Sequence, residues 1–254
     1  MLHKRIYQFL IVYAVGLSVL FLVKYGLNLS DYVIPPPKEV WITGQKYWLE
    51  YLREVLDTLS VAVFGHILSI LLAAVVAVIG RLTNWVGSFI KMGAYNIQSY
   101  PIVAVAPIIF ILFGDGIAAR LLITVMICYF PLLLSFIGIF SEPVYHIEHF
   151  YTATHRLTWG LSLRIRVFEN IAKLVTVISG SATVAMVGTI VAEFIAADDG
   201  IGYRIRIALY QSDLSKILTA LFLIGICTSL YLLSLEYIGL RIRKRPGISA
   251  GSFS

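Results

Sequence analysis

The sequence predicts an all-α, polytopic membrane protein with about six transmembrane helices. Three observations carry this. Of the 254 residues, 59% are hydrophobic and only 13% charged, where a soluble domain carries about 25% charge. The mean hydropathy is +0.87. The apolar residues also arrive in runs, each near the length of about 20 residues that crosses a bilayer as a helix.

The first run, 6–23, lacks a small-x-small cleavage site and reads as a retained span. The second, 55–79, is a largely apolar run whose His66 is read as a packed, hydrogen-bonded histidine rather than a relay. The third, 86–113, carries Lys91, Asn96, Gln98 and Ser99 and then Pro101 and Pro107. Its first half is expected at the membrane surface and its second half deep. The fourth and fifth are 118–140 and 174–197. The sixth, 214–240, runs into the basic stretch RIRKR.

Basic segments stay on the cytoplasmic side. With the N-terminus inside, the inner segments hold Lys4, Arg5, Arg81, Arg156, Arg164, Arg166, Lys173 and the RIRKR tail, while most acids fall outside. Both termini are therefore expected in the cytoplasm, and the net charge of +6 is explained by topology rather than by nucleic acid. Cys128 and Cys227 sit inside apolar runs and read as small core residues. No internal repeat is evident and the spans carry almost no ionisable groups, which argues against a proton-driven secondary carrier.

Three connecting segments stand out. Segment 30–51 holds three prolines, 35–37, that cannot lie in a helix interior. Segment 198–212 reads as a turn of Asp198, Asp199, Gly200 and Gly202 followed by a short amphipathic helix. Its Gly-x-Gly has no preceding strand and no third glycine, so it is not read as a dinucleotide loop. Segment 141–173 is cytoplasmic. Its part 156–169 is expected to be a helix pair bent at Gly160 and docked on a soluble partner. His146 and His149 have a spacing that can hold a metal, but with Glu148 and His155 they are read as solvated loop residues and no metal site is assigned.

The fifth run places small residues, Gly180, Ser181, Ala185, Gly188 and Ala192, on adjoining helical positions. Two readings stay open: tight helix packing, or the lining of a translocation route. Glu193, near the outer end, is a functional candidate because acids inside membranes are costly. The alternative is a structural pairing with Arg204 or Arg206.

Four stretches carry a resemblance to a known family: IPPPKEVW (34–41), YPIVAVAPIIFILFGDG (100–116), YFPLLLSFIGI (129–139) and VAEFIAADDGIGYRI (191–205). Together they resemble the permease subunits of binding-protein-dependent ABC importers. The branch resembled handles nitrate, sulfonates, taurine, bicarbonate and aminopyrimidines. The resemblance implies a single permease domain over 1–254 with a type I importer fold in the bacterial inner membrane. It implies half of a solute pathway, with Tyr100, Pro101, Pro107, Ser181, Ala185, Gly188 and Glu193 as pathway or gate candidates. The solute would be a small anion or a small heterocycle, delivered by a periplasmic or lipid-anchored binding protein.

The family's cytoplasmic loop reads Glu-Ala-Ala, three residues, Gly, nine residues, Ile-x-Leu-Pro. Aligned on Gly160, this chain has Thr154, His155 and Arg156 at the first three positions and Asn170, Ala172 and Lys173 at the last. The coupling candidates are therefore Thr154, His155, Arg156, Gly160, Arg164 and Arg166, expected to meet cytoplasmic ATPase subunits. The resemblance implies a second permease subunit, and the lost Glu and Pro leave two readings open: a non-identical partner with a fuller loop, or a family that tolerates this variation. The chain has no Gly-x-x-x-x-Gly-Lys-Ser/Thr loop, so ATP and Mg belong to the partner and no cofactor or catalytic residue is assigned here. The competing readings are an integral-membrane enzyme, which needs a clustered catalytic set, and a single-subunit carrier or channel.

Overall fold

The structure, a computed structural model, describes residues 2–243, with side chains from 6 to 242. The end of the RIRKR stretch, Lys244 and Arg245, lies outside the described residues. The regular elements of the described chain are all helices: α1 Leu2–Gly26, α2 Pro37–Ile79, α3 Asn84–Gln98, α4 Ile102–Phe113, α5 Ile117–Ser141, α6 Tyr145–Ala153, α7 Trp159–Glu169, α8 Ile171–Ile195, α9 Ile201–Tyr210 and α10 Leu214–Arg243.

Local chemistry sets several of these boundaries. Proline fits the first turn of a helix, where its missing N–H has no partner to lose. Pro36 is extended and Pro37 opens α2. Thr83 caps α3 by accepting the Val86 N–H (3.2 Å), and Thr158 caps α7 by accepting the Leu161 N–H (3.2 Å). Pro101 breaks the third run, because a residue before proline is pushed out of helical angles. The result is two helices, α3 and α4, bent by 87°.

Five described helices are long and apolar enough to cross a membrane, and the bent pair makes a sixth candidate. α4 has 12 residues, about 18 Å, too short for a hydrocarbon core of about 30 Å. α3 packs through Ala94 and Ile90 on a cluster with Phe136, Phe140 and Ala77 at one end of the bundle. α4 packs through Ala106, Ile109 and Phe110 on Ala119, Ile123 and Ala197 at the other. The pair thus carries the chain from one end to the other. The ends are named here for the short helices on them, the α7 end and the α9 end.

α2, α5 and α8 form the centre, with α10 and α9 packed on them. Lipid tails are as apolar as the side chains, so packing and hydrogen bonds rather than water exclusion hold helices together in a bilayer. The sequence supplies both. Gly65 lies against Thr124, and a Cβ on Gly188 would stand 3.2 Å from Ile127. Thr124 and Thr189 hydroxyls bond each other at 2.8 Å.

His66 is fully buried. Its Nε2 meets Ser181 Oγ at 2.8 Å and its Nδ1 meets Tyr231 Oη at 2.7 Å. Ser181 Oγ already donates to the Ile178 carbonyl. Nε2 therefore carries the proton and Nδ1 accepts from Tyr231. This is the packed histidine expected from the sequence, and it joins α2, α8 and α10.

α1 lies on the outside. It meets α10 through Phe9, Tyr13 and Phe222, and Tyr13 donates to the Leu218 carbonyl (2.9 Å).

Candidate functional site

At the α9 end, one polar network joins four helices. Glu193 of α8 is fully buried. Its carboxylate accepts from Thr58 Oγ1 (2.7 Å), Arg120 Nη2 (2.5 Å) and the Gly202 N–H (3.0 Å). Arg120 is 2% exposed and also donates to Asp57 (2.6 Å). The partner of Glu193 is therefore Arg120, 73 residues away, and neither Arg204 nor Arg206. Arg204 instead reaches α2, donating to Glu54 (2.7 Å) and pairing with Glu50 (2.8 Å). Arg206 donates to the Ala197 carbonyl (2.7 Å).

The first N–H groups of a helix have no partner within it. In α9 they are met by side chains from other helices: Gly200 N–H by Glu54 (3.0 Å), Ile201 N–H by Thr58 (2.9 Å) and Gly202 N–H by Glu193. The acids also suit the positive end of the helix. Such close approach requires glycine. Gly200 has φ +91°, and a Cβ there would collide with the Glu193 carboxylate. A Cβ on Gly202 would collide with the Ile190 carbonyl and stand 2.9 Å from the Phe194 nitrogen. Gly202→Ala is expected to destabilise the chain by about 1–3 kcal/mol, seen as a lowered unfolding midpoint. Gly93→Ala, where a Cβ meets nothing within 4 Å, is the neutral comparison. Asp198 and Asp199 are exposed beside this turn. The Asp198 carboxyl is pushed up because its protonated form donates to the Asp115 carboxylate of the α4–α5 turn.

At the α7 end, the 141–173 segment forms α6 and α7. The break between them is at 154–158, where His155 has φ +52°. Gly160 is not the bend. It lies in the first turn of α7, just after the Thr158 cap, and a Cβ there would meet nothing within 4 Å. A polar side chain that tolerates left-handed angles made the turn instead.

The segment is pinned by Glu148 and Arg166, a pair that sequence spacing did not reveal. Arg166 Nε and Nη2 grip the Glu148 carboxylate at 2.6 and 2.7 Å. Its Nη1 donates to the Phe140 and Ser141 carbonyls at the end of α5 (3.0 and 2.8 Å). The Arg166 bonds hold the Glu148 carboxyl below its ordinary value. Just beyond α2, the Arg81 guanidinium donates to Ser162 (2.8 Å) and lies over the Trp159 ring, and the Arg81 backbone carbonyl accepts from the Trp159 indole (3.3 Å).

Thr154, His155, Arg156, Gly160 and Arg164 are exposed, while Arg166 is half-buried. Tyr145, Phe150, Trp159 and Phe168 are exposed too, from 44% to 75%. His146 and His149 are exposed, and Glu148 is committed to Arg166. Among the described residues no group of three or more His, Cys, Asp or Glu is placed to hold a metal.

α8 has two faces. Ser181, Ala185, Gly188, Ala192 and Glu193 point into the bundle and are buried. They are packed inside this chain. The open face is Thr176, Gly180, Thr183, Val187 and Phe194, with Lys173 at its end. Lys173 pairs with Glu142 of the neighbouring α5–α6 connection at 3.2 Å. Tyr100, Pro101 and Pro107 on the bent pair are exposed.

No family model matches the sequence. The chain is 26% identical to the formylaminopyrimidine transport permease protein ThiX of Halalkalibacterium halodurans, over 95% of this chain and 99% of that one. The chain is related to ABC transporter permeases. It is also 33% identical to the riboflavin transport system permease protein RibX of Chloroflexus aurantiacus, a match that spans 54% of this chain and 52% of RibX. A probable ABC transporter permease protein of Haemophilus influenzae is 22% identical over 80% of this chain and 84% of its own length. These ABC permease relatives are transport proteins rather than enzymes. Together with the apolar helices they identify an integral membrane protein.

Proposed function

We propose that this chain is the transmembrane subunit of an ABC importer in a bacterial inner membrane, with both termini and the α7 end in the cytoplasm. The observation that carries the coupling role is the α6–α7 surface. Four exposed aromatic side chains, Tyr145, Phe150, Trp159 and Phe168, stand beside exposed Arg156 and Arg164 at one end of an apolar bundle. Exposed aromatic and Arg side chains together are the composition of a protein-docking surface. The docked partners are two cytoplasmic ATPase subunits, which bring ATP and Mg.

A second permease completes the pathway against the open face of α8. It is non-identical, since Thr154 and Lys173 replace the family's Glu and Pro in this loop. A solute-binding protein delivers to the α9 end. The solute is a small uncharged heterocycle. The open face of α8 has no charged residue between Lys173 and Phe194, and ThiX and RibX are named for such compounds.

Two measurements test this. Tagged chain purified from native membranes should bring an ATPase and a different permease; two copies of this chain with no other permease would exclude the heterodimer. An impermeant thiol reagent applied to intact cells should label Ser212→Cys and not Thr154→Cys. The two native cysteines are buried and give little background. The reverse labelling pattern would invert the topology.

A further inference from the structure

α2 runs unbroken for 43 residues, about 65 Å. It is tied at both ends of the bundle to the short helices that lie there. At the α9 end, Glu50, Glu54 and Thr58 hold Arg204 and the first N–H groups of α9, and Asp57 holds Arg120. At the α7 end, Arg81 follows α2 after one residue and holds Ser162 and Trp159 of α7. The two ties are separated by 23 residues of chain from Thr58 to Arg81, about 35 Å along the axis.

We propose that α2 is a rod that carries the state of the α9 end to the α7 segment, and that Arg81 is the positioning residue that completes the connection. A helix buried in apolar surroundings keeps all its backbone bonds, because no water is present to replace them. It therefore moves as a unit along its axis rather than stretching. Each tie has a shielded partner, Thr58 with the Ile201 N–H at one end and Ser162 with Arg81 at the other, and hydrogen bonds away from water are stronger. Glu50, Asp57 and Trp159 lie at the exposed rim. Neither tie saturates its arginine. Arg81 Nη1 and Arg120 Nε are buried with no protein partner among the described residues. Each arginine can engage a further acceptor when its helix shifts, which is what a two-position contact needs. α7 has no direct bond to α9 among the hydrogen bonds described. α5 also touches both ends, through Arg166 and Arg120, but α2 bonds α9 itself, at Gly200, Ile201 and Arg204, and its flanking Arg81 bonds α7. In the importer reading, on which the biological use of the rod rests, a binding protein at α9 would thereby bias the ATPase-docking segment.

The test is amide hydrogen exchange on the full chain in lipid nanodiscs, comparing wild type, Glu54→Ala, Arg81→Ala and the double variant. Glu54 lies at the rim of the network, and Glu50 still pairs Arg204 in its absence, so the fold survives. Glu54→Gln is the milder second variant. Glu54→Ala is expected to speed exchange at Gly200 and Ile201 and also at Leu161 and Ser162, the latter by about fivefold, the lower end of ordinary site-to-site coupling. Arg81→Ala removes the guanidinium bond to Ser162 and keeps the backbone carbonyl that Trp159 meets. It should speed Leu161 and Ser162 by itself and reduce their response to Glu54→Ala.

Faster exchange at Gly200 with no change at Leu161 overturns the rod. So does a full additional effect of Glu54→Ala in the Arg81→Ala background, or the lack of any response at Gly200 in both Glu54 variants. The measurement needs no partner protein, so its failure leaves the importer reading standing. A native complex without an ATPase would remove that reading and leave the rod intact.

Discussion

Glu193→Ala is expected to destabilise the chain by about 3–5 kcal/mol, the cost of leaving a buried charge without its partner. Arg120 is 2% exposed and would keep only Asp57, which is 39% exposed at the rim. The Gly202 N–H and the Thr58 hydroxyl would lose their acceptor as well. The loss should appear as a lowered unfolding midpoint of purified protein and as faster exchange at the start of α9. Glu193→Leu combined with Arg120→Met should recover part of it, because a buried pair is worth little against apolar groups of similar volume. A Glu193→Ala midpoint indistinguishable from wild type would mean the carboxylate is not held in this pair.

Arg166→Ala is expected to release the α6–α7 segment. Arg166 spends four bonds on Glu148 and on the carbonyls that end α5. Charge-assisted bonds of this kind are worth about 1.5–3 kcal/mol each when a partner is deleted. Transport should be lost while the spans still insert, and cleavage by protease at the 154–158 break should rise sharply. Arg166→Lys should not rescue it, since an ammonium cannot grip a carboxylate with two parallel bonds.

The pair also sets a pH dependence. Glu148 has a depressed carboxyl in the folded chain, first through its bonds to Arg166. Its contribution is therefore fully present above the ordinary value of 4.5 and is lost as pH falls through the lower folded value. Protease resistance of the break should hold from neutral pH down to that range and fall below it. The Arg166→Ala protein should show no such step. A wild-type profile equally flat would remove the pair as the pin.

Much of the architecture is readable along the chain because its causes are local. Apolar runs of bilayer length give the long helices, and Pro101 stands at the break in the third run, where it keeps its neighbour from helical angles, although Pro107 and Pro131 are carried inside helices. The Gly turn before a short helix at 198–212 was equally legible. The bend of the 141–173 segment was not. Glycine at 160 looked like the natural corner, yet it fits a first helical turn equally well, and the Thr158 cap fixed the start of α7 next to it.

The partners of the charged residues lay beyond local pattern altogether. Arg204 and Arg206 are near Glu193 in sequence, but helix α9 directs Arg204 toward α2, and the pocket at Glu193 is filled from α5, 73 residues away. α8 illustrates the same limit. A helix apolar nearly all round carries no periodic signal that says which side is buried. Its residues Ser181, Ala185 and Gly188 were equally suited to packing or to an open route until α2, α5 and α10 closed over them. By itself, then, the sequence determined that the chain is built of about six apolar runs that lie in a membrane as helices, because composition acts over a few residues. It did not show that the second helix starts as early as Pro37 or that the third run is two helices. Only the tertiary structure decided which face of each helix is open and which charges meet, because those depend on the contacts of side chains far apart in the chain.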